Sequence, residues 1–181
     1  MSPEEIVEDA VLHGCRSIAY TYNEPAIFIE MVHDIAVLAR KRSLKNIMVT
    51  NGYMTPESLE YVSGCIDAMN IDLKSFDDGF YRRLCGARLK PVLECIRKAY
   101  AMGIHIELTT LVIPGENDSE EELREIARFI AALDRSIPWH VSRFFPMHNM
   151  KEHDATSRAS IMRACEIGNE EGLENVHAGN I

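Results

Sequence analysis

Glu24 closes an apolar run, Ser17-Ile18-Ala19-Tyr20-Thr21-Tyr22-Asn23, and is followed by Pro25. Its carboxylate and the amide of Asn23 therefore belong at the carboxyl end of a buried strand, the rim at which parallel α/β sheets bind ligands. A carboxylate there offers an acceptor for an ammonium group. The same layout recurs along the chain. Thr50-Asn51-Gly52 offers a hydroxyl, an amide and a close backbone approach. Asp72 and Lys74 suit ribose hydroxyls and a carboxylate, or else simply pair with each other. Val112-Ile113-Pro114-Gly115 is an apolar strand end with a turn able to pass under a flat heterocycle, and Phe144 to His148 adds an aromatic wall and an imidazole. Taken singly, each fits a plain turn, a helix-dipole contact or a surface loop equally well.

The elements that must position these groups read as alternating helices and strands. Ser2-Pro3-Glu4-Glu5 is a capping box opening a helix that runs to Gly14. A strand over 16–22 follows, then a helix over 26–42 with Ile27, Met31, Ile35 and Leu38 on one face. Further strands are expected over 46–50, 68–75, 104–113, 139–145 and 175–180. Helices are expected over 56–63, 90–102 and 156–171, with a single turn over 80–84. Ser119 and Glu122 form a second capping box for a helix presenting Leu123, Ile126, Ile130 and Leu133. Strands separated by helices of a dozen residues mean βαβ units and a parallel sheet. The first helix has no strand before it and the last strand nothing after it, so both ends read as cut from something longer.

Strand alternation places Asn70, Asp72 and Lys74 on one face, and His105, Glu107 and Thr109 on one face of the next strand. A polar interior face suits an open barrel holding a polar ligand. For His105 and Glu107, low in their strand, mutual satisfaction among polar neighbours is the expectation.

Composition narrows the function. The 181 residues are 46% hydrophobic and 26% charged, with a formal net charge of −9, so nucleic-acid binding is not expected. No apolar run approaches the ~20 residues of a membrane span, and the acidic start Met1-Ser2-Pro3-Glu4-Glu5 is no signal peptide; the cytoplasm is the expected location. The five cysteines, Cys15, Cys65, Cys85, Cys95 and Cys165, are scattered, with no metal-knuckle spacing, and read as reduced thiols. No metal-ligating set and no catalytic side chain is assigned.

In this order, the tips resemble the radical S-adenosylmethionine enzymes. The likeness is closest to the pyruvate formate-lyase-activating-enzyme-like branch, and within it to the radical enzyme of the AmmeMemoRadiSam system. Tyr22-Asn23-Glu24-Pro25 stands where that family has Gly-Gly-Glu-Pro, which receives the methionyl amine. Thr50-Asn51-Gly52 matches the next tip, Asp72-Leu73-Lys74 an Asp-x-Lys contacting ribose and methionyl groups, and Val112 to Gly115 a Val-x-Pro-Gly beside adenine. Phe145-Pro146-Met147-His148 matches a Leu-Pro-Tyr-His whose histidine approaches the ribose. The resemblance thus implies that Asn23, Glu24, Thr50, Asn51, Asp72, Lys74, Val112 and His148 bind S-adenosylmethionine.

The chain departs from the family in lacking Cys-x3-Cys-x2-Cys, the three thiolates that hold a 4Fe–4S cluster, together with the strand that carries them. The resemblance implies an α/β fold, a partial (β/α)6 TIM-like open barrel of parallel strands without its first strand and cluster loop, with 1–181 a single core domain truncated at both ends. It also implies reductive cleavage of S-adenosylmethionine to a 5′-deoxyadenosyl radical for hydrogen abstraction, a reductant such as flavodoxin or ferredoxin, and a protein substrate. Without the thiolates this chain alone is expected to be inactive. Two other readings stay open: a Schiff-base lyase on a TIM-like barrel using Lys74, and a non-catalytic half-barrel completed by a partner chain.

Overall fold

The computed structural model describes residues 1–181. Two compact units divide the chain: Met1–Ile71 with Glu94–Ile106, and Asp72–Leu93 with Glu107–Ile181. The strands follow chain order, β1 (Ser17–Tyr20), β2 (Lys45–Thr50), β3 (Ala68–Asp72), β4 (His105–Val112), β5 (Trp139–Arg143) and β6 (Val176–Gly179), in one open α/β sheet with β1 and β6 at its edges.

In the first unit β1, β2 and β3 pair in parallel, Tyr20 opposite Met48 and Met48 opposite Met69. Helix α1 (Pro3–Leu12) starts at the expected capping box, with both the Ser2 and the Glu5 side chains engaged. Helices α2 (Ile29–Lys41) and α3 (Pro56–Ser63) follow the strands. Val32, Ala36, Ala39, Met48, Leu59, Val62, Met69 and Ile71 are fully or almost fully buried and form its core. Asn46, fully buried, accepts from the Tyr20 hydroxyl (2.8 Å) and donates to the Ala36 and Cys65 carbonyls (3.1 and 3.0 Å). One amide thereby ties two strands to the helix layer with every polar atom satisfied.

The expected face of the second helix needs correcting. Pro25–Phe28 forms a 3₁₀ turn, so the α-helix begins only at Ile29. The tighter turn rotates the early residues out of phase: Ile27 and Met31 are exposed, and the buried stripe is Val32, Ile35, Ala36 and Ala39. Strand β3 also stops at Asp72 rather than at Ser75, which leaves Lys74 in the loop beyond it.

In the second unit β4, β5 and β6 pair in parallel, Thr109 opposite His140 and His140 opposite His177. Asp78–Phe80 (α4) runs into a π-helical turn, Tyr81–Cys85, where a plain turn over 80–84 was expected. Helix α5 (Leu89–Ala101) links the two units along the chain, and α6 (Glu120–Leu133) and α7 (Arg158–Glu170) complete the second. Trp139, fully buried, donates its indole N–H to Thr110 (2.9 Å), whose hydroxyl donates to the Leu73 carbonyl (2.8 Å). Ser119 caps α6, but the reciprocal half of the expected capping box is absent. The Glu122 carboxylate turns away to accept from the Ser75 hydroxyl and the Phe76 N–H (3.2 Å). No helix is long and apolar enough to cross a membrane.

Candidate functional site

The expected residues gather into two clusters, one in each unit. In the first, Glu24 sits just past β1 and caps the turn that follows, its Oε1 accepting from the Ala26 N–H (3.1 Å). The same oxygen accepts from the Thr50 hydroxyl (2.6 Å), and Oε2 accepts from the Asn51 N–H (2.7 Å). Thr50 is buried and its Oγ also accepts from the Gly52 N–H (3.2 Å). The Asn51 side chain accepts from the Tyr53 N–H (2.8 Å), bending the chain through Gly52 at φ 68°. Parallel pairing of β1 with β2 makes this convergence possible, because it sets the two carboxyl ends side by side. Glu24 is thus first a clamp. A carboxylate has about four acceptor sites and three are used, which leaves about one for a ligand donor. Asn23 stands exposed beside it. The Cys95 thiol, pushed up to about 11 by burial and further by the Glu24 charge, stays protonated near neutral pH.

In the second unit Asp72 and Lys74 pair with each other, Oδ2 to Nζ 2.7 Å, with side chains 35% and 36% exposed. A ligand at either group must share or replace that pair. Lys74 has neither the dry apolar surroundings nor the free amine that a Schiff-base nucleophile needs. Its backbone is fixed from both sides. The N–H donates to the Tyr81 hydroxyl (3.1 Å), and the carbonyl accepts from the Asn117 side chain (2.6 Å). Burial holds the Tyr81 phenol well above its ordinary value, so it stays neutral.

Val112 is fully buried and its carbonyl accepts from the Thr156 hydroxyl (2.5 Å), so its side chain is not available to a ligand. Asn117, also fully buried, accepts from the Ile113 N–H (2.6 Å) and donates to the Leu111 carbonyl (2.9 Å) as well as to Lys74. It therefore sews the Val112–Gly115 turn to the Lys74 loop. Thr156 accepts from the Phe144 N–H (2.9 Å), joining the ends of β4 and β5. His148 is exposed at φ 49°, in a turn beside exposed Met147. Phe145 lies under the Arg143 guanidinium, 4.9 Å from ring centre to carbon. Asn117, Thr156 and Tyr81 are positioning residues that sequence reasoning missed. An asparagine shortly after Pro-Gly was the one available signal, and it names no partner.

The cluster that the resemblance calls for does not fit these residues. No group of three or more His, Cys, Asp or Glu could hold a metal ion. Burial raises the thiols of Cys65, Cys85, Cys95 and Cys165, the reverse of what a thiolate ligand needs. The first cluster keeps one acceptor position on Glu24, and the second keeps a partly exposed Asp72–Lys74 pair.

A family model for the Radical SAM superfamily matches residues 1–130. An uncharacterized protein of Methanocaldococcus jannaschii is 41% identical over 182 residues, an alignment covering 100% of this chain and 54% of that protein. The isethionate sulfite-lyase activating enzyme of Oleidesulfovibrio alaskensis is 28% identical over 142 residues, 75% of this chain and 46% of that one. A crystallised domain of pyruvate-formate lyase-activating enzyme from Bacteroides vulgatus has the same fold, with a TM-score of 0.78 at 20% identity over 91% of this chain and 99% of that chain. The chain spans about half the length of the curated relatives it matches.

Proposed function

The chain belongs to the radical SAM superfamily, in its pyruvate formate-lyase-activating-enzyme-like branch, and on that premise we propose that it is the S-adenosylmethionine-binding core of an enzyme that cleaves this cofactor reductively for hydrogen abstraction. The observation that carries the reading is the Glu24 clamp. One carboxylate holds the carboxyl ends of β1 and β2 together and keeps an acceptor position for the methionyl ammonium. Thr50 and Asn51 orient Glu24, and Asn23 lines the same rim. Asp72 accepts from ribose hydroxyls, Lys74 meets the methionyl carboxylate, His148 approaches the ribose, and the turn after Val112 lies beside adenine. The names of the activating-enzyme relatives support a protein as the substrate of the whole enzyme; flavodoxin or ferredoxin as its electron donor and the cytoplasm as its location are proposed with it.

When bound, the 4Fe–4S cluster supplies the electron for cleavage. The cysteines of this chain do not form its site, so the 181 residues alone bind the cofactor weakly and do not cleave it. The test is a titration of the isotope-labelled chain with S-adenosylmethionine, followed by backbone amide spectra. Saturable shifts at Glu24, Asn51, Asp72 and Lys74 are expected. Shifts scattered away from both clusters would refute the binding reading. Release of 5′-deoxyadenosine by this chain after iron, sulfide and reductant treatment would refute the inactivity.

A further inference from the structure

Glu107, His140 and His177 form a polar array in the second unit that the cofactor reading leaves unused. His140 Nε2 and Glu107 Oε2 are 2.7 Å apart, and the His140 and His177 rings stack with centroids 5.2 Å apart and planes 28° from parallel. All three lie on the face of β4–β6 opposite the helices. Their neighbour Trp139 faces the other way, against α7, where a Cβ on Gly168 would meet Trp139 at 3.0 Å and Val176 at 2.9 Å. Glu107 and His140 are about one-third exposed, and His177 is exposed. Glu107 lies five residues before the end of β4, roughly 16 Å below the carboxyl rim.

Gly179 lies opposite Ser142, and a Cβ there would come within 2.5 Å of the Ser142 hydroxyl, so the bare glycine makes room for that hydroxyl beside the His140–His177 stack. Besides His105, the other positions on this face, Thr109, Leu111, Ser142 and Gly179, carry no ionisable group, and Glu107 is its one acidic side chain. Imidazole nitrogens and hydroxyls add hydrogen-bond acceptors. A metal ion fits poorly. Near-parallel rings run their in-plane lone pairs side by side instead of onto one point, and no cluster of three ligands is formed.

We propose that this array is a subsite for a primary ammonium group, the part of the substrate that reaches below the cofactor rim. The proposal rests on the reading of this chain as a radical SAM core, and it names the substrate class as an amine. The Glu107 carboxylate supplies the opposite charge, and His140 and His177 supply acceptors.

The test is a titration of the 181-residue chain with n-propylammonium chloride at fixed pH and ionic strength, followed through the histidine ring carbon–proton signals. n-Propanol and sodium chloride serve as controls. Saturable shifts of His140 and His177 with the amine alone are expected, about tenfold weaker in Glu107→Gln, which keeps a hydrogen-bonding partner for His140 but removes the charge. His177→Leu, at an exposed edge-strand position, is expected to weaken binding as well, and it decides the matter if the Glu107 variant fails to fold. Equal shifts with propanol, no shifts with the amine, or undiminished affinity in a folded variant would overturn the proposal. The titration uses neither S-adenosylmethionine nor a cluster, so failure of the cofactor reading would leave its result interpretable.

Discussion

The Thr50 hydroxyl donates to the Glu24 carboxylate at 2.6 Å, across the carboxyl ends of neighbouring parallel strands. This contact carries two predictions. Glu24→Gln keeps one oxygen of the clamp but removes the charge that an ammonium needs and turns an NH2 toward a donor that the carboxylate served. Its affinity for S-adenosylmethionine should fall about tenfold or more, the value of a charge-assisted hydrogen bond, with about 1–3 kcal/mol of stability lost. Thr50→Val removes the orienting hydroxyl at a buried position and should cost about 1–3 kcal/mol of stability as well as affinity. Calorimetric titration and denaturant unfolding of both variants measure the two effects. Unaltered affinity in Glu24→Gln would place the ammonium elsewhere.

Asn117 links three backbone groups that otherwise have no side-chain partner: the Ile113 N–H and the Leu111 and Lys74 carbonyls. Asn117→Ala leaves them facing a cavity with no water route evident from its full burial. About 3 kcal/mol or more of stability should be lost, because each orphaned buried group costs about 1–3 kcal/mol. Asn117→Asp keeps the acceptor for Ile113 but aims a carboxylate at two carbonyls, so it should be worse at neutral than at acid pH. Urea midpoints for both variants at two pH values test this, and the wild-type ordering of the Lys74 loop should be lost in amide exchange.

Gly168 poses a contest between helix propensity and packing. Alanine in a helix interior is favoured over glycine by about 1 kcal/mol. Here the added methyl would meet Trp139 at 3.0 Å and Val176 at 2.9 Å, and Trp139 is fully buried and hydrogen-bonded, so it cannot yield. Overpacking costs about 1–3 kcal/mol, so packing wins. Gly168→Ala should lower the thermal midpoint by a few degrees. A raised midpoint would mean that α7 can lift off the sheet freely.

The alternation of strands and helices was legible because each element carries its own period and its own start signal. Ser2 with Glu5 is read correctly from three residues' spacing, and the structure forms both halves of that box. Ser119 with Glu122 has the same signature, yet Glu122 leaves it for Ser75 and Phe76, forty-odd residues away. The local code is identical, and only tertiary structure supplies the competing donors. The helix face around Ile27 was misplaced for a similar reason: one 3₁₀ turn after Pro25 shifts the phase by a fraction of a turn. At the site, the polar tips were visible as residue types, and the Asp72–Lys74 pair, two residues apart, was one of the two readings the sequence offered. That Glu24 is already clamped and that Val112 is sealed under Thr156 depend on which strands become neighbours.

The displaced Glu122 gives a pH signature. Burial lifts its carboxyl above the ordinary range and outweighs the bonds from the Ser75 hydroxyl and the Phe76 N–H. A folded-state value above the unfolded one means that folding favours the protonated form. The stabilisation is full below the unfolded value of about 4.3 and is lost as pH rises through the folded value. At neutral pH the ionised group therefore works against the fold. Asp67 runs the other way. Burial pulls it up, but the Lys45 ammonium and the Asn46 N–H together hold it below its ordinary value, so its contribution is present near neutrality and disappears in acid. The bulk pH profile mixes the two, and a variant separates them. Glu122→Gln keeps an oxygen for Ser75 and Phe76 and removes the charge. It should match the wild type near pH 4 and exceed it by pH 7, as read from urea midpoints across that range. A variant that loses stability more at pH 7 than at pH 4 would show that ionised Glu122 strengthens its bonds more than burial penalises it.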